Sequence, residues 1–259
     1  MPEGDTVFRA AERLRTALAG RTLTRSDFRV PRYATVDLVG DLVTEVGSYG
    51  KHLFIRTDRV SIHTHLKMEG VWRIFHHGQR WTKPPVTARL VLANDEFEAV
   101  GFELGKVQVL PRAEEHTVID HLGPDLLGPN WDAAEALRRI SEYPRRPIGL
   151  ALLDQRNLAG IGNIYRSEIC FLRRVHPATP VGDIGDLPAL VDESHRVLGK
   201  AAHQPPWRAM AYGRTRRPCP RCGTAIVSRL LGEDDPADRI TRRERGIYFC
   251  PRCQPEPTN

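Results

Sequence analysis

No stretch of this chain approaches the ~18 consecutive apolar residues that a membrane-spanning helix needs, which excludes a transmembrane helix. The opening residues, MPEGDTVFRAAERL, place acids where a secretory signal would carry a basic segment and then an apolar one, so the expectation is a cytoplasmic protein. No repeat recurs at a fixed period, which excludes a repeat architecture. Lysine is absent from Pro206 onward, although that stretch holds eleven arginines against six acids. Five of the six net positive charges therefore fall in the final fifth of the chain. Arginine offers a planar fork of donors suited to phosphate. A nucleic-acid partner and a plain solvated basic surface both fit this charge. The same tail is poor in apolar residues and cannot build a core alone.

What is present suffices for two or more domains: 259 residues, 41% of them hydrophobic. Val7, Ala11, Leu14 and Leu18 step at helical spacing, with Asp5 a candidate N-cap and Gly20 a candidate stop. From Arg21 to Leu110 short β-like runs rich in Val, Ile and aromatics alternate with Gly, Asp and Asn, predicting an antiparallel sandwich or barrel. The Pro/Gly-rich join HLGPDLLGPNWD marks a boundary, and the pattern beyond it is helical as far as Gln204–Trp207. The expected fold is mixed α and β. Residues 1–124 hold an N-terminal helix and β-sandwich, 130–205 a helical domain, and 206–259 a cysteine-bearing segment.

Four of the five cysteines lie in that last segment, as Cys219-Pro-Arg-Cys222 and Cys250-Pro-Arg-Cys253. Two CxxC knuckles supply four thiolates for one tetrahedral ion, and a cytosolic setting argues against structural disulfides. A redox CxxC would not explain two matched pairs in a small basic tail. One structural zinc is expected, with no coordination position left for water. The 27 residues between the pairs exceed the common spacing of about 15–20. Cys170, in an apolar helical stretch, reads as a buried free thiol.

Met1 precedes Pro2, and removal of an initiator Met before a small residue exposes a secondary amine. Such an amine can attack a sugar carbon to form a Schiff base. A helix beginning nearby would disfavour its ammonium form, and Glu3 is an adjacent acid/base. The plain alternative is a common Met-Pro start beside a surface acid.

Four separated features together resemble one family. The start Pro2-Glu3-Gly4, the hairpin-like Gly50–Leu53 (GKHL), the segment Leu158–Glu168 (LAGIGNIYRSE) and the ending Arg245–Gln254 (RGIYFCPRCQ) resemble, in order, motifs of the formamidopyrimidine-DNA glycosylase/endonuclease VIII family. The resemblance is greatest to its actinobacterial endonuclease VIII-like group. It implies a helix-two-turns-helix domain after the β-sandwich, a four-cysteine zinc finger, and DNA bound between the domains. It also implies Pro2 as nucleophile at the lesion sugar, Glu3 as proton donor or relay, Lys51 as a second catalytic cation, and Glu168 as support for the active site. Asn163 and Arg245 would grip phosphates. For Asn163 a plain helix cap is the alternative, for Glu168 an exposed helix acid, and for Lys51 a surface turn lysine. Chemistry on a base inside a duplex requires flipping. Met68, in HLKMEG, is a fitting apolar inserter. Phe102 and Leu104 either complete that wedge or belong to the core.

The chain departs from the family pattern at Asp5-Thr6, at Lys67-Met68-Glu69, at VGFELG, and in the short segment QPPWRAMAYGRTRRP. The last leaves little room for a loop capping 8-oxoguanine, which favours oxidised pyrimidines. The expected function is a bifunctional glycosylase and AP lyase, monomeric, with damaged DNA as partner, no membrane association and no small-molecule cofactor. Two other readings stay open: a non-catalytic damaged-DNA-binding or regulatory zinc protein, and an AP lyase with little glycosylase activity. The acidic-then-basic stretch from Gly232 to Arg245 is a candidate partner surface.

Overall fold

The computed structural model describes residues 2–232 and 245–257. The stretch 233–244, most of the candidate partner surface, lies outside the described residues. The chain divides into two compact units, residues 1–121 and 122–259.

The first unit opens with α1 (Gly4–Leu18), whose Val7, Ala11, Leu14 and Leu18 are all buried, as their spacing requires. The N-cap is Glu3 rather than Asp5. Asp5 sits inside the first turn, where it pairs with Arg9 at 2.7 Å one turn on. The helix stops as expected, with Gly20 in the left-handed region (φ +76°) just past its end. Eight strands follow: β1 (Arg25–Phe28), β2 (Val43–Tyr49), β3 (His52–Thr57), β4 (Val60–His65), β5 (Val71–His76), β6 (Ala88–Ala93), β7 (Phe97–Phe102) and β8 (Lys106–Pro111). They form two antiparallel sheets, ordered β1-β6-β7-β5 and β2-β3-β4-β8. One apolar core joins the helix to both sheets: Leu14 and Leu18 lie among Val46, Leu53 and Ile62 of one sheet and Trp72, Leu90 and Leu92 of the other. A short helix, α2 (His116–Ile119), closes the unit.

The second unit holds α3 (Ala133–Ser141), α4 (Ile148–Ala151), α5 (Asn163–Leu172), α6 (Leu187–His203) and a hairpin of β9 (Val227–Leu231) with β10 (Arg245–Phe249). Asp132 and Asp186 cap α3 and α6 through their side chains, leaving fewer orphan N–H groups at each start. The helices bury Ile140, Ile148, Leu158, Ile169, Leu190 and Leu198 in one cluster. Cys170 is buried there too, and burial pushes its thiol up to about 12. Among the described residues no helix is long and apolar enough to cross a membrane.

Candidate DNA-processing site and metal centre

Pro2 stands immediately before α1, and Glu3 is its N-cap, only 1% exposed. The Glu3 carbonyl accepts the N–H groups of Thr6 and Val7, so the first turn closes directly on this residue. A buried carboxylate and the positive end of a 15-residue helix thus adjoin Pro2. Lys51 occupies the tip of the β2–β3 hairpin. Tyr49 pairs with His52, which leaves Gly50-Lys51 as a two-residue loop. Gly50 takes φ +55° at the first loop position, where glycine alone goes without strain.

Met68 lies at the apex of a tight turn closed by the Gly70 N–H on the Leu66 carbonyl. A Cβ on Gly70 would collide with the Leu66 backbone, so glycine is required for this closure. The turn leaves Met68 60% exposed. Leu104 stands differently from Met68. That side chain is 1% exposed, packs against Gly101 where a Cβ would collide with it, and belongs to the main core. Phe102 is likewise buried, edge-on to Phe75 and Trp81. Both are buried in apolar clusters, Leu104 in the one that includes α1 and Phe102 in a separate one with Phe75, Val91 and Val100.

In the second unit the turn before α5 uses Gly160 at φ +116° and Gly162 as N-cap. Asn163 is therefore the first helical residue and not the cap. Its side-chain amide donates to the Gly246 carbonyl at 3.0 Å, and fully buried Arg166 donates to the same carbonyl at 2.8 Å. Arg166 also donates to the Asn163 side-chain oxygen. Gly246 follows Arg245 at the start of β10, so these two motifs, 82 residues apart in sequence, meet through one carbonyl. Glu168 is neither exposed nor free. Its carboxylate accepts the backbone N–H groups of Met210, Ala211 and Tyr212 at 2.7, 2.9 and 2.8 Å. Burial raises its pKa, opposed by those three donors. The short segment after α6 is thereby held to α5.

The four cysteines converge. Their sulfurs all lie within 4.8 Å of one another, with the closer pairs at 3.5–3.9 Å. A tetrahedron with metal–sulfur bonds of about 2.3 Å has edges of about 3.8 Å, so the set fits one ion. Each knuckle has its own lock. Gly223 (φ +77°) returns its N–H to the Cys219 carbonyl, and the Arg221 N–H points at the Cys219 sulfur. Gln254 returns its N–H to the Cys250 carbonyl and accepts from the Cys250 N–H.

Two side chains that sequence reasoning passed over fasten this centre to the helices. Arg221, inside the first knuckle, donates to the Phe171 and Leu172 carbonyls at the end of α5 and lies 4.5 Å over the Phe171 ring. Gln254, fully buried, donates to the Val175 carbonyl at 2.8 Å. The Arg within CxxC was a visible signal, and Gln254 closes the RGIYFCPRCQ motif.

Comparison with known proteins accords with this geometry. Residues 1–122 match the formamidopyrimidine-DNA glycosylase N-terminal domain, and residues 122–204 match the formamidopyrimidine-DNA glycosylase H2TH domain. A protein of Streptomyces coelicolor named probable endonuclease 8 2 is 48% identical, over 99% of this chain and 95% of its own length. A DNA-(apurinic or apyrimidinic site) lyase Nei2 of Mycolicibacterium smegmatis is 45% identical, over 98% and 99%. In fold, the chain resembles Lactococcus lactis Fpg, solved in complex with DNA containing N7-benzyl-Fapy-dG, with a TM-score of 0.80 at 21% identity, covering 98% of this chain and 100% of that one. With family domains matched across most of its length, and full-length relatives at nearly half identity, the chain belongs to the formamidopyrimidine-DNA glycosylase/endonuclease 8 family of DNA-repair glycosylases and lyases.

Proposed function

We propose that this protein excises oxidised bases, pyrimidines before 8-oxoguanine, and cleaves the resulting abasic site through a Schiff base on Pro2. The observation that carries the reading is the buried Glu3 carboxylate beside Pro2 at the start of α1, in a chain of this family. With Met1 removed, the Pro2 nitrogen is a secondary amine, and the helix end next to it favours the uncharged, nucleophilic form. The nitrogen bonds to C1′ and the base departs with its bonding electrons. The nitrogen gives up its proton to the Glu3 carboxylate, which delivers it to the sugar ring oxygen; the ring opens, and an iminium remains. Loss of a C2′ proton expels the 3′ phosphate, and a second elimination expels the 5′ phosphate. Lys51, at the tip of the β2–β3 hairpin, serves as the cation for the developing charge.

Asn163 and Arg245 serve as phosphate grips, tied to one another through Gly246, and Met68 fills the gap left by the flipped nucleotide. Glu168 acts through the 210–212 backbone and is a positioning residue. The preference for pyrimidines rests on that segment, short in sequence and pinned by Glu168, where the 8-oxoguanine branch needs a longer loop. The metal is one structural zinc, held by Cys219, Cys222, Cys250 and Cys253. The partner is damaged DNA.

Borohydride trapping tests this reading, after intact mass has shown that Met1 is removed. Wild-type protein should form a covalent adduct with duplexes carrying an abasic site or dihydrouracil. An adduct on the abasic duplex alone reduces the activity to that of a lyase. No adduct on either refutes Schiff-base chemistry.

A further inference from the structure

The β1-β6-β7-β5 sheet is apolar on both faces. Leu90 and Leu92 of β6 point into the core shared with α1, and Val91 between them points the other way, to a second cluster with Phe75, Val100 and Phe102. Residues 77–87, which connect β5 to β6, lay Trp81 against that cluster, edge-on to Phe102 at 5.7 Å. Beside Trp81 lies a cavity of about 820 Å³, lined by Arg25, Arg29, Arg80, Lys83, Pro84 and Pro85, among others. Glu98 is the one carboxylate in its lining.

Surface connections are commonly the loosest part of a fold. This one is tied along its length. The Gln79 side-chain carbonyl accepts the His76 N–H at 3.0 Å, and the Thr87 hydroxyl donates to the Pro84 carbonyl at 2.7 Å. The Trp81 indole N–H donates to Glu98 at 2.6 Å, and the Arg29 guanidinium donates to the Pro85 carbonyl at 3.0 Å. Lys83 pairs with Glu103. The two prolines restrict the backbone further. This fixed rim still leaves apolar surface in water. Val86 is 88% exposed, and Pro84 and Pro85 are exposed beside it. A surface that is already ordered loses little entropy when a partner docks.

Charge selects the partner. Glu98 is already engaged by Arg25 and Trp81. Arg80 is exposed and has no ion pair among the described residues, which leaves its guanidinium open to an anion. Asp27 pairs with both Arg25 and Arg29 at the surface, where such bonds are weak enough for an arriving carboxylate to share the guanidinium groups. A tryptophan among arginines is also the composition of the strongest contacts between proteins. A single-stranded nucleic acid seeks cations too, but it needs an open ring on which to stack its bases. The Trp81 ring is taken: the Arg29 guanidinium lies 5.4 Å over it, and Phe102 meets it edge-on.

We propose that this cavity and its 84–86 rim form a docking surface for an acidic segment of a partner protein. The partner's carboxylates meet Arg80, Lys83 and Arg25, and its apolar side chains cover Pro84, Pro85 and Val86. The surface uses none of the residues assigned to excision and does not depend on that chemistry.

A fluorescein-labelled, end-capped peptide of alternating glutamate and leucine tests the surface, beside its lysine–leucine counterpart and single-stranded oligothymidylate. Anisotropy reads binding, and the Trp81 indole N–H resonance reads its place. Trp81→Phe assigns that resonance, and Arg80→Gln, at the neighbouring position, assigns it if Trp81→Phe fails to fold. The glutamate peptide should bind saturably, shift the Trp81 resonance and weaken as salt rises. Arg80→Gln should weaken it about threefold and Arg80→Glu about tenfold. Val86→Ser, which alters no charge, should weaken it about threefold. All three positions are exposed, so thermal stability and duplex affinity should stay at wild-type values. Equal binding of the lysine peptide, or wild-type affinity in Arg80→Glu, shows contact without recognition of charge and overturns the proposal. Oligothymidylate that shifts the Trp81 resonance and displaces the peptide assigns the face to nucleic acid and overturns it as well. So does a Trp81 resonance that the glutamate peptide leaves unmoved. None of these readouts needs turnover, so they remain informative whether or not Pro2 traps DNA.

Discussion

The two units meet the cost of burying polar groups in opposite ways. The first stands on an apolar core that runs from α1 through both sheets, and it carries cationisable groups on top with no acid to balance them. The second depends on polar bonds at each joint: Glu168 under three N–H groups, Asn163 and Arg166 on one carbonyl, Asp154 between Arg146 and Arg156, and Arg221 and Gln254 fastening the sulfur cluster. Among the described residues, its terminal segment packs Ala211, Ile226 and two of the cysteines in a small apolar cluster with Phe171 of α5. A unit held by its core tolerates stray charge. A segment fastened by single atoms, as the cysteine-bearing one is, is geometrically exact but vulnerable atom by atom.

Metal loss should show this contrast most strongly. Structural zinc contributes roughly 10–16 kcal/mol to the folding of small cysteine domains. Chelation, or Cys250→Ser, should abolish hydrogen-exchange protection of β9 and β10 and weaken DNA binding, while the strands of the first unit stay protected. Equal loss in both units, or unchanged DNA affinity after verified metal removal, would break the contrast.

Next in size is Glu168→Ala. It leaves three N–H groups, that of Ala211 buried, without their acceptor, at a cost of about 4 kcal/mol. A chemical-denaturation midpoint measures it, and a cost below about 1 kcal/mol would mean that the 210–212 segment is held by something else.

Acid should reverse the order of vulnerability. Folded, His52, His63 and His65 titrate at about 3, 4 and 4, with burial the largest cause. In the unfolded chain they titrate near 6.5. Below pH 6.5 the unfolded chain takes up protons that the folded unit refuses, so stability falls as pH drops towards about 4. In the second unit, burial would raise Asp154, but hydrogen bonds from Arg156 and Arg146 outweigh it and hold the carboxyl at about 2. Its contribution persists until pH falls below about 4. Urea unfolding followed by resonances from each unit should therefore show the first unit weakening between pH 6.5 and 4, and the second only below that. His63→Gln should remove about 2 kcal/mol of the loss at pH 5. A first unit insensitive to pH in this window would refute the buried neutral imidazoles.

What was legible in the sequence follows the same division. Helical spacing in α1, alternation in the strands and paired CxxC motifs are local patterns, and each became the expected element. The order of the family motifs was legible too. Missed were the features made by long-range register. His63 and His65 alternate on one face of β4, but only pairing with β3 and β8 brings them to His52, Gln108 and Lys106. Likewise nothing near Glu168 announces that residues 210–212 will return to it. Asp5 looked like a cap because acids favour that position, yet the helix begins two residues earlier.

The smallest expected stability effect bears on the one apolar side chain that the first unit leaves outside its core at this loop. Met68→Ala should change stability by less than about 0.5 kcal/mol, since the side chain is 60% exposed. Leu104→Ala should cost about 3 kcal/mol, because a buried leucine leaves a cavity. Their effects on DNA should run the other way. If Met68 holds open the gap left by a flipped base, its loss forfeits about 1 kcal/mol of the unstacking energy and slows single-turnover excision roughly fivefold. That loss should shrink on a single-stranded substrate, where no stack needs to be opened. Leu104→Ala, assayed at a temperature where it remains folded, should excise at close to the wild-type rate. Equal excision defects in the two variants would return Leu104 to the wedge and mean that its buried position changes on DNA. An unaffected Met68→Ala would leave the exposed methionine with no part in base flipping.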